Sequence, residues 1–201
     1  MSTLEDKTEQ LKQIYNEILA LKKSPLYAYR TENRYLPVIG EGSHAANIMI
    51  IGEAPGKKEA MTGKPFCGAS GKILDQLLAR IGLDRTTVYV TNVVKDRPPE
   101  NRDPTLGEIE LYTPFLDRQI DIIQPKVIAT LGRFSMAYIM QKFDPTWNEP
   151  IGAAHGKEVR VKVSYGEITI LPLYHPAATI YNQKLRATFF DDGEKLRKYL
   201  R

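Results

Sequence analysis

Three short runs rich in apolar and β-branched residues, each followed by a segment with helical spacing, most constrain how this chain folds. They are residues 47–51 (NIMII), 87–91 (TVYVT) and 126–131 (KVIATL), the last stopped by Gly132. The first is continuous rather than alternating, as in strands buried on both faces. After it, Ile73, Leu74, Leu77 and Leu78 share one face of a helix running to about Ile81, with Ser70 as its cap. Residues 106–123 are helical, and a further helix follows Gly132 to about Phe143. Strands alternating with helices imply an α/β fold with a mostly parallel sheet covered on both faces. The first residues read as an amphipathic helix capped by Ser2 or Thr3. Residues 158–163 and 167–173 alternate around Ser164-Tyr165-Gly166 as a hairpin. A last helix spans about 185 to 200.

A chain of 201 residues with 42% hydrophobic and 26% charged residues suits one domain, residues 1–201. Its formal charge of +4 allows a polyanionic partner without requiring one. The single cysteine, Cys67, excludes an intramolecular disulfide and any metal site built from several thiolates. No early hydrophobic stretch follows a basic start, and no apolar run reaches membrane-spanning length, so a cytoplasmic protein without membrane contact is expected.

In parallel sheets, ligands bind at loops leaving the carboxyl ends of strands. Residues 52–68, 92–104 and 174–182 occupy that position and hold most of the unusual polar residues. Spacing leaves two readings for each of them. Glu53 is a directed carboxylate or a turn cap; Glu59 approaches it or is solvated. Phe66 belongs to the core or forms a platform for a planar ligand. Asn92 reads a base edge or caps a turn. Lys95, Arg97 and Arg102 suit backbone phosphates or a solvated loop. His175, before Pro176, is structural or functional. Ile180 and Tyr181 form a wedge between stacked bases or cover the core. A phosphate-binding P-loop is disfavoured, because Gly71-Lys72 is followed by Ile73.

Together these segments resemble the uracil-DNA glycosylase superfamily, most closely the thermostable family 4. The resemblance is carried by IMIIGEAPG, TGKPFCGASGKILDQLL, TNVVKDRPPENRDPT, PKVIATLG and LYHPAA, in that family's order, from about residue 24 to 200. It implies a three-layer α/β/α sandwich around a short, mostly parallel central sheet, and removal of uracil from DNA by cutting the N-glycosidic bond. By motif, Glu53 would position water or stabilise positive charge at the sugar, and Glu59 occupies the later acidic position. Phe66 would stack on uracil, Asn92 would read its polar edge, and the backbone at Ala54 would contact the base. Asn101 matches another family site position, and His175 would donate toward the uracil O2. Lys95, Arg97, Arg102, Lys184 and Arg186 would grip phosphates, while Ile180 and Tyr181 stand where relatives carry a wedge.

The chain also departs from that pattern. Family 4 enzymes hold a four-iron, four-sulfur cluster through four cysteines, and the matching positions here are Leu21, Ser24, Asp96 and Tyr112. None supplies thiolate chemistry. The expectation is therefore no cluster and no metal, with packing by Leu21 and Tyr112 and polar contacts from Asp96 in its place. Ala60 stands where relatives carry Asp. The histidine-containing, KRRIH-like loop of covalently trapping relatives is missing, which implies turnover.

The function expected is that of a monofunctional glycosylase: it flips uracil out and leaves an abasic site in base-excision repair. It would be a monomer acting on single- or double-stranded uracil-containing DNA in the cytoplasm, at the nucleoid. The alternatives are a base preference shifted to hypoxanthine or xanthine, and a non-catalytic DNA-binding relative. Retention of Glu53, Phe66, Asn92, Asn101 and His175 speaks against the second.

Overall fold

The computed structural model describes residues 3–200. In chain order its elements begin with α1 (Leu4–Leu19), α2 (Tyr27–Glu32), β1 (Glu41–Gly42) and β2 (Ile48–Gly52). Next come α3 (Lys57–Thr62), α4 (Ala69–Arg80), β3 (Tyr89–Asn92) and α5 (Leu106–Ile123). Then follow β4 (Val127–Leu131), α6 (Arg133–Phe143), α7 (Ile151–Ala154) and the hairpin of β5 (Val159–Val163) and β6 (Gly166–Leu173). The chain closes with α8 (Pro176–Thr179), α9 (Gln183–Gly193) and a 3-10 segment, Glu194–Tyr199.

The six strands lie in the order β1-β3-β2-β4-β6-β5. The inner four are parallel, and both edge strands are antiparallel to their neighbours. Successive residues of a strand point to opposite faces, and β2, β3 and β4 are buried at every position because both faces are covered. Met49 and Ile51 face a layer that includes Ile14 and Ile18 of α1, Leu116 and Ile120 of α5, and Ile139 of α6. Ile48 and Ile50 face Leu74 and Leu77 of α4, Phe189 of α9 and Leu196. These are the three layers of an α/β/α sandwich. Among the described residues no helix is long and apolar enough to cross a membrane.

Several boundaries differ from the sequence reading, each for a local reason. Thr3 caps α1 in a reciprocal pair with Asp6; Ser2, the other candidate cap, lies outside the described residues. Helix α4 starts after Gly68, not at Ser70, because the Glu59 carboxylate accepts from the Cys67 and Gly68 amides at 2.9 and 2.8 Å. The final helix breaks at Gly193, where a Cβ would come within 2.5 Å of Leu77. Close packing selects a residue that weakens the helix there. The short β1 and α2, in a stretch without periodicity, were not foreseen.

Candidate active site

Sheet register sets the site. Gly52 pairs with Asn92, and Leu131 with Leu173, so neighbouring strands release their loops side by side at the same edge. A cavity of about 320 Å³ opens there, a size that admits a small planar ligand. Glu53, Ala54, Glu59 and Phe66 line it from the first loop. Asn92, Asn101 and Arg102 enter from the second, and His175 from the third. The three loops singled out by position therefore converge.

Phe66 is 6% exposed and adopts a φ of +50°, a region that bulky side chains rarely occupy. Its surroundings hold it there. Arg85 donates to the carbonyls of Phe66 and Pro65. Gly71 leaves space, since a Cβ on it would lie 1.7 Å from the Phe66 carbonyl oxygen. On the ring side, a Cβ at Gly52 would lie 2.5 Å from Phe66 Cζ and 2.4 Å from Asn92 Oδ1. Phe66 is thus both core residue and cavity wall, and the two readings of its position are compatible.

Asn92 is 1% exposed, and its Oδ1 has no hydrogen-bond partner. A buried acceptor left unpaired costs about 1–3 kcal/mol, a cost that a ligand donor would remove. His175 caps α8 by accepting the Ala177 N–H on Nδ1 at 3.1 Å. Burial pushes its imidazolium down to about pKa 4, so the ring is neutral and Nε2 carries the remaining proton. The ring nitrogen that Ala177 leaves free is a donor.

Glu53 is half-buried, and desolvation pushes its carboxyl up to about pKa 7. Asp103 raises it further, while Arg133 opposes the shift. Those two residues form an ion pair with each other; sequence reasoning passed over both. Glu59 uses Oε1 to close the loop onto the start of α4, so this carboxylate braces the cavity wall as well as lining it. Asn101, at φ +57°, accepts on Oδ1 from Arg97 Nε at 2.8 Å, which leaves its NH2 group unclaimed by that contact. Arg102 grips Glu108 with both arms, at 2.9 and 2.6 Å.

Two expected phosphate contacts are corrected. Lys95 is 0% exposed, and its side-chain nitrogen bonds only inside the protein. Arg97 is buried and donates to the hydroxyls of Tyr29 and Tyr35 at 2.9 and 3.0 Å. The physical reason is a roof: the segment before β2 crosses this loop, with Val38 N–H on the Lys95 carbonyl at 2.8 Å. Of the remaining expected DNA contacts, none but Arg102 lines the cavity. Ile180 packs partly into the α4–α9 layer, whereas Tyr181 is 97% exposed. Lys184 is exposed, and Arg186 reaches Gln76 at 2.6 Å.

The positions matching the family's cluster ligands lie far from thiolate chemistry. Ser24 Oγ and the Tyr112 hydroxyl are 2.8 Å apart, and Tyr112 donates to Asp96 at 2.5 Å. Arg30 closes the set, bonding both Asp96 oxygens and the carbonyls of Ile18 and Leu19. Leu21 packs at the edge of the same core. Hard oxygen donors already bonded to one another do not fit an iron–sulfur cluster, and the one cysteine, Cys67, is exposed on the Phe66 loop.

The model of the uracil DNA glycosylase superfamily matches residues 39–199. The type-4 uracil-DNA glycosylase of Sulfurisphaera tokodaii is 46% identical over 191 residues, covering 94% of this chain and 84% of that protein. The type-4 enzyme of Archaeoglobus fulgidus is 42% identical over 188 residues, covering 94% and 92%. That of Thermotoga maritima is 34% identical over 200 residues, covering 96% of each. With the family's span running through all three loops of the cavity, the chain belongs to the uracil-DNA glycosylase superfamily and, within it, to the type-4 family.

Proposed function

We propose that this protein is a monofunctional uracil-DNA glycosylase, a hydrolase that extrudes uracil from DNA and cuts its N-glycosidic bond, leaving an abasic site for base-excision repair. The observation that carries this reading is the unpartnered Oδ1 of buried Asn92, in one cavity with Phe66 and the donor nitrogen of His175. Uracil offers an N3–H donor to that oxygen. Cytosine presents an acceptor at the same position, so lone pairs would oppose lone pairs.

The residues divide the work. Phe66 takes the face of the flipped base, and the Ala54 backbone lies at its edge. The C1′–N1 bond breaks with both electrons on the base, giving a uracil anion and an oxocarbenium-like sugar. His175 donates from Nε2 to the developing anion at O2 without transferring its proton. Ionised Glu53 stabilises the sugar cation and orients water. Water adds at C1′, and its proton passes to the Glu53 carboxylate and on to solvent. Asn101 donates into the same space. Among the described residues no lysine lines the cavity, so no lysine is placed for Schiff-base lyase chemistry. Exposed Tyr181, next in sequence to the partly buried Ile180, is read with it as the wedge; Arg102, Lys184 and Arg186 are read as phosphate contacts. No step runs through an iron–sulfur cluster.

The test is cleavage of a single-uracil oligonucleotide followed by alkali, beside duplexes carrying hypoxanthine or xanthine. Breaks at uracil, weakened in Glu53→Ala and His175→Ala, are expected. Breaks only at the purine bases would mean a shifted base preference. No breaks while DNA is still bound would reduce the site to recognition.

A further inference from the structure

Lys95 is fully buried, and no carboxylate is among its hydrogen-bond partners. Its Nζ lies 2.7 Å from Thr91 Oγ1, 2.7 Å from the Asn92 carbonyl oxygen and 2.5 Å from Gln119 Oε1. Neighbours fix how these groups face it. The Thr91 hydroxyl has its one proton for the Ile39 carbonyl at 2.5 Å, the nearer of two acceptors, with Gln119 Oε1 at 3.4 Å. Gln119 spends both amide protons, on Ile39 O and the Tyr89 hydroxyl, each at 3.0 Å. Thr91 and Gln119 therefore present lone pairs to Lys95, as the Asn92 carbonyl must.

Three acceptors converge on one nitrogen, and only an ammonium has three protons to meet them. Burial by itself favours the neutral amine. That form would set its own lone pair against an acceptor in the core. The adjacent Asp96 does not compensate the charge, because it is committed to Arg30 and Tyr112.

We propose that Lys95 is a buried, uncompensated ammonium that acts through Asn92, holding the end of β3 in place and setting a fixed positive charge behind the wall where the base becomes anionic. The inference rests on the glycosylase reading above. Bond breaking puts a full negative charge on the departing base, and a fixed charge in a water-poor interior acts on it with little screening. Lys95 need not touch the base to do this. It is a positioning residue, hydrogen-bonded to the main-chain carbonyl of the residue whose side chain lines the cavity.

The charge is read directly by 15N NMR of lysine-labelled wild-type protein at pH 8. An ammonium signal with three slowly exchanging protons at Lys95 is expected, and a neutral amine overturns the proposal. The field is read by single-turnover cleavage of DNA containing uracil or 5-fluorouracil, the latter a better leaving group. Two variants are compared with wild type: Lys95→Met, which removes the charge, and Gln119→Glu, which keeps the lysine but sets a carboxylate against it. Both should slow uracil release by roughly 10- to 100-fold, less than the about 10²–10³ of a donor touching the anion directly. Their loss on 5-fluorouracil should be several-fold smaller, because that base needs less help to leave. Equal losses on both bases, with an active wild type, overturn the field role alone. A wild type that cleaves neither base overturns the glycosylase reading and the field role with it.

Discussion

The backbone N–H of Ala177 donates to Nδ1 of His175 at 3.1 Å, and that bond decides which nitrogen of the ring is left to donate. With Nδ1 occupied as an acceptor, the neutral imidazole carries its proton on Nε2. His175→Ala should lower the cleavage rate by about 10²–10³, the cost of removing one donor from a developing anion. His175→Gln, which retains an N–H donor, should recover part of that loss. Because burial holds the imidazolium near pKa 4, neither the wild type nor the Gln variant should show a histidine titration between pH 5 and 9. A limb in that range that disappears in His175→Gln would contradict the donor role.

Glu53 should supply the limb that is seen. Its carboxyl is pushed up to about pKa 7 by burial first and by Asp103 second, and stabilising a sugar cation requires the ionised form. Single-turnover cleavage should therefore rise tenfold per pH unit below about pH 7 and level off above it. In Glu53→Gln the residual rate should be flat across that range. A limb that survives the substitution would belong to another group.

The same shift makes a stability prediction of fixed sign. Below the ordinary glutamate value, folded and unfolded chains both keep the proton, and Glu53 costs nothing. As pH rises toward 7 the unfolded chain loses its proton while the folded one retains it, so stability falls; above about pH 7 the full penalty stands. Glu53→Gln should accordingly be more stable than wild type at pH 8 and about equal to it at pH 4, by urea denaturation. A variant less stable at pH 8 would mean that the carboxylate is favourably bonded in the free protein.

How much of this was legible follows from what a sequence records. Strand β2 was readable because burial on two faces leaves an unbroken apolar run, and Glu53, Phe66, Asn92 and His175 could be singled out as cavity-lining candidates because they end the inner strands or lie in the loops that leave them. Lys95 and Arg97 were misread because their burial comes from a roof around Tyr29, Tyr35 and Val38, distant in sequence and without periodicity. Arg85 was missed because its partners at Pro65 and Phe66 are backbone carbonyls, which every residue possesses. The cap of α4 went to Ser70 because a carboxylate arriving from Glu59 leaves no local mark. For Tyr112 and Asp96 the sequence suggested packing and polar contacts in place of cysteines; that Ser24, Tyr112, Asp96 and Arg30 bond one another appears once the chain is folded.

Gly52 is a case where a single methyl should matter more for binding than for folding. A Cβ there meets Asn92 Oδ1 at 2.4 Å and Phe66 Cζ at 2.5 Å, both side chains of the cavity rather than fixed backbone. Gly52→Ala should push the amide and the ring apart, raising KM for uracil-DNA by about tenfold or more with overpacking of about 1–3 kcal/mol. A variant with unchanged KM would show that the base does not rest between Asn92 and Phe66.

Arg30 and Asp96 form a buried ion pair, with side chains 4% and 0% exposed, and Asp96 is one of the positions that match the expected cluster ligands. Arg30→Met strands the Asp96 carboxylate, although Tyr112 still donates to it. Removing one partner of such a pair costs about 3–5 kcal/mol, so a large drop in the urea midpoint is expected. The double variant Arg30→Met with Asp96→Asn should recover much of that loss, because no unpaired charge remains. Recovery, together with purified wild-type protein that carries no stoichiometric iron, would establish the network as the structural substitute. Strictly additive losses would mean that Arg30 acts through the Ile18 and Leu19 carbonyls instead.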